Sequence, residues 1–305
     1  MSDITLDDFA EDEKQPEKHL SHSQISAYMR CPVAYYSRYI LGVKSAPSAA
    51  MVLGSGVHKA FEKNFEQKIV SGKDLPSSAV KDVFRDYWRE NSKEAVFNSE
   101  RDEVKEEMGD EGISMVEKYM DEVSPSVQPV AVEKRFFLKL PGVRRKILGF
   151  IDLVTKDEIV VDFKTTKRLP DAEKLSKDHQ LSLYSIAYKQ ENGRDASLFR
   201  YDYLLRKSSK GKGKWTEIHL MPTMRNEIHK ANLIATYATV ERQIDMAEFY
   251  PNTDSFLCSA GMCGFYDECQ RKILAGVKPD FLDRIKSLQE TAQKNLRETG
   301  SPVLV

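Results

Sequence analysis

The sequence predicts an α/β or α+β core with a helical insertion, on three observations. Helical spacing fills the first part of the chain, strand patterns follow, and a further helix separates these from more strands. The stretch Leu148–Lys167 places β-branched and aromatic residues on either side of a polar turn, Thr155–Glu158, and reads as a β-hairpin. Hydrophobic residues make up 41% of 305, enough for one large core or two smaller ones.

Residues 1–19 are acidic and poor in core-forming side chains, and read as a disordered tail. From Leu20 the text changes. Ser21 or Ser23 can cap a helix with Ile25, Tyr28 and Met29 on one face, until Cys31-Pro32 interrupts it. An aromatic segment follows, Tyr35–Tyr39. The small residues Gly54, Ser55 and Gly56 let a second helix begin close to other backbone, with Val57, Ala60, Phe61 and Phe65 on its buried face. His58 then falls in that helix's first turns. Residues 77–122 read as helical and highly charged, with an acidic, solvated patch over Glu100–Glu111, so the helical part runs over about 55–125.

Val130–Leu140 alternates as a strand and Pro141-Gly142 makes a turn. After the hairpin, Ser176 or Asp178 can cap a helix bearing Leu181, Leu183, Tyr184, Ala187 and Tyr188. Gln180 and Tyr184, four apart, share one face of it. Phe199–Arg206 and Trp215–Leu220 read as strands around a basic loop, Lys207–Lys214, and close a core of about residues 130–222. A long helix spans about Met224–Met246. A closing region, 276–305, carries helical spacing over Phe281–Glu298. There is no internal repeat.

The hairpin holds three charges that an apolar sheet should avoid: Asp152, Asp162 and Lys164. Strand side chains alternate, so Asp162 and Lys164 share a face, and simple pairing sets Asp152 beside them. Burying such groups is costly unless they pair or hold a metal. A salt-bridged pair satisfies that condition. A hard divalent cation such as Mg2+ or Mn2+ satisfies it too.

Four cysteines occur, Cys31, Cys258, Cys263 and Cys269, the last three within a turn-rich stretch. Four thiolates fit a tetrahedral zinc or an iron–sulfur cluster, and spacing does not choose between them. The formal net charge is -1, so nucleic-acid binding would need local basic stretches: Lys134–Lys146, Lys164–Arg168 and Lys207–Lys214. No apolar run approaches a membrane span and no signal-peptide core is visible, so the expectation is a soluble, cytoplasmic protein.

Taken in order, these segments resemble the PD-(D/E)xK nuclease superfamily, in its RecB-like, AddB-type iron–sulfur branch, which includes CRISPR-associated exonucleases. The matching text is Ser26-Ala27-Tyr28, Cys31-Pro32-Val33-Ala34-Tyr35, Gly54-Ser55-Gly56-Val57-His58 and Gly149-Phe150-Ile151-Asp152. It continues with Val161-Asp162-Phe163-Lys164-Thr165, Gln180-Leu181-Ser182-Leu183-Tyr184 and the three terminal cysteines.

The resemblance implies a restriction-endonuclease-like core, a central mixed sheet flanked by helices, within a nuclease domain over 20–275. It implies metal ligation by His58, Asp152, Asp162 and the carbonyl of Phe163, with Lys164 as the catalytic lysine and Gln180 and Tyr184 ordering the site. Cys31, Cys258, Cys263 and Cys269 match [4Fe-4S] ligands that staple the two ends of the chain. Glu133 is an additional acidic candidate. The implied function is a Mg2+- or Mn2+-dependent DNA exonuclease acting on single strands or ends in recombination, repair or replication. The chain has no G-x-x-x-x-G-K-[ST] phosphate loop, so where unwinding is needed another protein supplies it; a separate helicase, recombinase or single-strand-binding protein is the kind of partner such a role would use. The alternatives are a structure-specific or trimming endonuclease in a larger complex, and a DNA-binding subunit with a vestigial site.

Overall fold

The computed structural model describes residues 19–98, 104–209, 213–255, 257–270 and 290. Of the expected tail over 1–19, residues 1–18 lie outside them and His19 is strand instead; of the expected helix over Phe281–Glu298, all but Glu290 lies outside. The chain divides into two units, each built from separate stretches. One takes residues up to Ser45, Phe137–Gly149 and those from Ala231 on; the other takes Ala46–Phe136 and Phe150–Lys230.

In the first unit, β1 (His19–Ser21) leads into α1 (His22–Arg30). Ser21 caps α1 with a reciprocal pair: its side chain accepts the Gln24 N–H, and the Gln24 side chain accepts the Ser21 N–H at 2.8 Å. Ile25 and Tyr28 are buried as expected, but Met29 is 50% exposed. One residue beyond Tyr28, it is turned away by about 100° on the helix. Pro32 then opens the short α2 (Pro32–Tyr35), where its missing N–H costs nothing.

Tyr28, Tyr35 and Tyr36 pack around Phe249, with Tyr28 Oη donating to the Glu248 carbonyl at 2.5 Å. Tyr35 and Tyr36 are therefore core residues.

The second unit starts with three helices: α3 (Ala49–Ser71), α4 (Ser77–Asn91) and α5 (Lys105–Glu122). Ser48 caps α3, so it begins before the glycines rather than at them, and His58 sits in its third turn. The glycines serve close packing instead. A Cβ on Gly54 would lie 3.2 Å from Thr165 Oγ1, and one on Gly56 3.0 Å from the Phe84 ring. The expected helical stretch over 77–122 is broken after Asn91, and Val96 forms an isolated bridge with Ser48.

The strands are β2 (Pro129–Leu138), β3 (Lys146–Thr155), β4 (Ile159–Thr166), β5 (Leu198–Ser209) and β6 (Gly213–Thr223). β3 and β4 pair antiparallel, β4 and β5 parallel, and β5 and β6 antiparallel, a mixed sheet. β3 also pairs with β2, and its first residues pair with β1, Leu20 opposite Ile147. Of the expected basic loop Lys207–Lys214, the described residues 207–209 and 213–214 are strand, with Lys207 opposite Trp215 and Ser209 opposite Gly213.

Between β4 and β5 lie α6 (Ala172–Ser176) and α7 (His179–Asn192), and after β6 comes α8 (Glu227–Asp245). Phe61, Phe65, Phe84, Met115, Tyr119, Leu153, Val161, Phe163 and Leu204 form the apolar core of the second unit. Among the described residues no helix is long and apolar enough to cross a membrane.

Candidate metal and catalytic site

The site grows from the β3–β4 hairpin. Leu153 opposes Val161, and one step further toward the strand ends Asp152 and Asp162 come next to meet. Their carboxylates are 7% and 0% exposed as residues, placed there by strand register. Asp152 Oδ2 accepts the Phe163 N–H at 2.8 Å. Asp162 meets the Lys164 ammonium at 2.6 Å, as two-residue periodicity requires.

Two helices bring the remaining groups. α3 carries His58, whose Nε2 lies 2.8 Å from the Phe163 carbonyl and whose Nδ1 lies 3.4 Å from Asp152 Oδ2. A carbonyl only accepts, so Nε2 carries a hydrogen, and Nδ1, on the Asp152 side, is the ring atom that could ligate a metal. α7 is capped by Asp178, which accepts the N–H groups of Gln180 and Leu181. Lys164 Nζ donates to Gln180 Oε1 at 2.8 Å, Gln180 Nε2 donates to Tyr184 Oη at 3.0 Å, and Tyr184 donates to Asp162 Oδ1 at 3.2 Å. With the Asp162–Lys164 ion pair the four residues close a ring.

Glu133 enters from β2 with a backbone φ of 44°, the left-handed region that non-glycine residues seldom occupy. Among the described residues His58, Glu133 and Asp152 form the one group of three donors, with ligand atoms all within 4.8 Å of one another. Asp162 and the Phe163 carbonyl, expected as ligands, are adjacent but engaged with Lys164 and His58. Sequence spacing offered little signal for Glu133, which lies far from the hairpin turn and reaches the site only through strand pairing.

The electrostatics show an excess of anions. Burial, then the charge of Asp162, pushes the Asp152 carboxyl well above its usual range, against the Phe163 N–H and Lys164. Burial, then Asp152, raises Glu133 to about 7. Burial works to lower Lys164, yet the charge and hydrogen bond of Asp162 outweigh it and hold the ammonium above its usual value. Burial, followed by Asp162 and Asp152, raises the Tyr184 hydroxyl and keeps it a donor. One lysine does not offset three carboxylates, and an oxygen-rich donor set with one imidazole fits a hard divalent cation.

Part of the expected phosphate-tracking charge is committed elsewhere. Lys134 pairs with Glu191 at 2.7 Å. In the first unit Arg145 is buried against Glu241 and Asp245, and Arg144 pairs with Asp245.

The four cysteines all belong to the first unit and are partly buried. Burial raises the Cys263 thiol, with Cys31 and Cys258 adding to it. Burial, then Cys31, Cys263 and Cys258, raises Cys269 to about 11, so the thiols feel one another. Their sulfurs do not form a three-donor group of the His58 kind, whereas a single zinc would hold thiolates about 3.8 Å apart. The donor geometry by itself thus carries neither zinc nor an iron–sulfur cluster.

Comparison with known proteins gives the following. The family model of the PD-(D/E)XK nuclease superfamily matches residues 19–270. A solved structure of a candidate exonuclease from Eubacterium rectale superposes with a TM-score of 0.50 at 12% identity, covering 80% of this chain and 85% of its own. At that identity it is similar in fold. The structure of SSO0001 is 14% identical over 78% of this chain and 92% of its own, with a TM-score of 0.33, too low to bear on the fold. No curated protein matches.

Proposed function

Because the chain belongs to the PD-(D/E)XK nuclease superfamily, we propose that it is a divalent-metal-dependent deoxyribonuclease, an exonuclease on single-stranded DNA or DNA ends that serves recombination, repair or replication. The observation that carries this is the meeting of His58, Glu133 and Asp152 in one donor group in the unit that holds the Asp162–Lys164 pair. The solved structure of similar fold is described as a candidate exonuclease, which favours the choice of ends over internal sites.

His58, Asp152 and Glu133 would hold Mg2+ or Mn2+, with Asp162 turned to it as Lys164 engages substrate. The cation supplies Lewis acidity and lowers the cost of making a hydroxide nucleophile. Lys164 brings positive charge and hydrogen bonds to the attacked phosphate, where negative charge grows in the transition state. Gln180 and Tyr184 aim that ammonium and the Asp162 carboxylate, and the apolar packing behind Phe163 limits water and strengthens these interactions.

Cys31, Cys258, Cys263 and Cys269 are assigned a [4Fe-4S] cluster on the resemblance of their placement to that of the iron–sulfur branch of the superfamily. All four lie in one unit, and Cys31, Cys263 and Cys258 each raise the Cys269 thiol, which supports a shared site. Helicase, recombinase or single-strand-binding partners follow from the same role.

The test is anaerobic purification, a visible spectrum with iron, sulfide and zinc content, and cleavage of end-labelled linear and circular DNA with Mg2+, Mn2+ or EDTA. Metal-dependent loss of the label from linear DNA alone is the expected result. Cutting of closed circles would replace the exonuclease assignment by an endonuclease one. Absence of cleavage with either metal would overturn the enzymatic assignment.

A further inference from the structure

Tyr201 lies on β5 directly across the parallel pair from Asp162, and Tyr203 lies across from Lys164. Alternation therefore turns both rings to the face that bears the catalytic pair. The Tyr201 ring sits under the Lys164 ammonium, 5.5 Å from centroid to Nζ, inside the range in which the ring's negative face attracts a cation. Its hydroxyl reaches past the lysine and donates to Asp178 Oδ1 at 2.5 Å. Asp178 is the cap of α7 and takes the Gln180 N–H on the same oxygen at 2.8 Å.

One buried side chain, 1% exposed, thus touches the ammonium from below and the start of the helix whose Gln180 holds the ammonium from the side. Lys164 is a flexible four-carbon chain, and without such contacts its head would sample several rotamers. Burial, followed by the charges of Asp162 and Asp178, keeps the Tyr201 hydroxyl well above its usual pKa, a permanent donor.

Resting on the catalytic site assigned above, we propose that Tyr201 is a positioning residue for Lys164: its ring fixes the ammonium and its hydroxyl fixes, through Asp178, the helix that presents Gln180. Tyr201 is not one of the three metal donors, and its contacts are with the lysine and the helix cap. Its effect should therefore fall on the rate of the chemical step and spare DNA affinity.

The experiment is single-turnover cleavage of end-labelled DNA at saturating Mn2+ by wild type, Tyr201→Phe, Tyr201→Leu and Lys164→Ala, with DNA affinity measured separately by anisotropy. Loss of the ring contact should lower the rate constant of Tyr201→Leu by roughly 2- to 30-fold. Tyr201→Phe, which keeps the ring, should fall between it and wild type. Affinity and reaction amplitude should stay at wild-type levels in both. A reduced amplitude with an unchanged rate constant would mean a merely structural role and overturn the proposal. So would a wild-type rate constant in Tyr201→Leu or, should that variant fail to fold, in Tyr201→Phe. Wild-type cleavage by Lys164→Ala would instead overturn the catalytic assignment of the lysine, whatever the tyrosine variants do.

Discussion

Gln180 accepts a hydrogen bond from the Lys164 ammonium at 2.8 Å and passes a donor on to Tyr184, whose hydroxyl returns to Asp162, the ion-pair partner of the same lysine. The lysine is held on two sides by groups from a strand and a helix, so its orientation does not depend on solvent.

Asp162→Ala and Lys164→Ala should each lower the cleavage rate by roughly 10²- to 10³-fold or more, the scale seen when a transition-state charge partner is removed. Asp162 is fully buried, so an apolar replacement leaves Lys164 unpaired but partly solvated. Thermal melting should confirm folded protein in both. Near-wild-type cleavage by either variant would remove the pair from the mechanism.

Gln180→Ala should cost roughly 10- to 100-fold in rate, the equivalent of one hydrogen bond to a charged group. Gln180→Glu keeps an acceptor for Lys164, and should be less impaired than the alanine variant. Steady-state kinetics of the two, compared at one pH, check the order.

Asp74 offers a pH-dependent test of stability away from the site. Burial pushes its carboxyl up, but hydrogen bonds from Asn64, Lys68 and Ser124 outweigh this and hold it below its usual value. Lys68, 3% exposed, donates to Asp74 Oδ2 at 2.8 Å and to the Ser124 carbonyl at 2.6 Å. A carboxyl depressed in the folded state stabilises it above the unfolded pKa of about 3.9, and that contribution vanishes as pH falls through the lower folded value. Asp74→Asn should thus lose about 3–5 kcal/mol at pH 7, the cost of stranding a buried ammonium. Urea denaturation should show the gap to wild type shrinking below about pH 4.

Gly112 faces Phe84 across the α4–α5 contact, where an added Cβ would fall 1.9 Å from Phe84 Cζ. The ring is itself fully buried, so Gly112→Ala should destabilise by about 1–3 kcal/mol through overpacking. Gly54→Ala meets only the rotatable Thr165 hydroxyl, at 3.2 Å, and should be near neutral once its helix propensity gain is counted. Denaturant midpoints of the two variants separate the cases.

What could be read without a structure was whatever backbone periodicity dictates. Alternation along β4 put Asp162 and Lys164 on one face, and the helical repeat put Gln180 one turn from Tyr184; both relations hold. The hairpin turn at Thr155–Glu158 and the Asp178 cap were legible for the same reason, since turn and cap chemistry is local. Local rules failed where a partner decides the outcome. α3 begins at Ala49 rather than at the glycines, which are small because Thr165 and Phe84 press against them. Arg145 reads as a free cation until Glu241 and Asp245 bury it.

The sequence by itself determined which residues stand side by side on each element, because bond geometry sets a repeat of 2 in strands and about 3.6 in helices. Only the tertiary structure decided that Glu133 joins His58 and Asp152, and that Tyr201 lies beneath Lys164. Those meetings depend on strand pairing and helix packing between segments far apart in the chain, which no local repeat encodes.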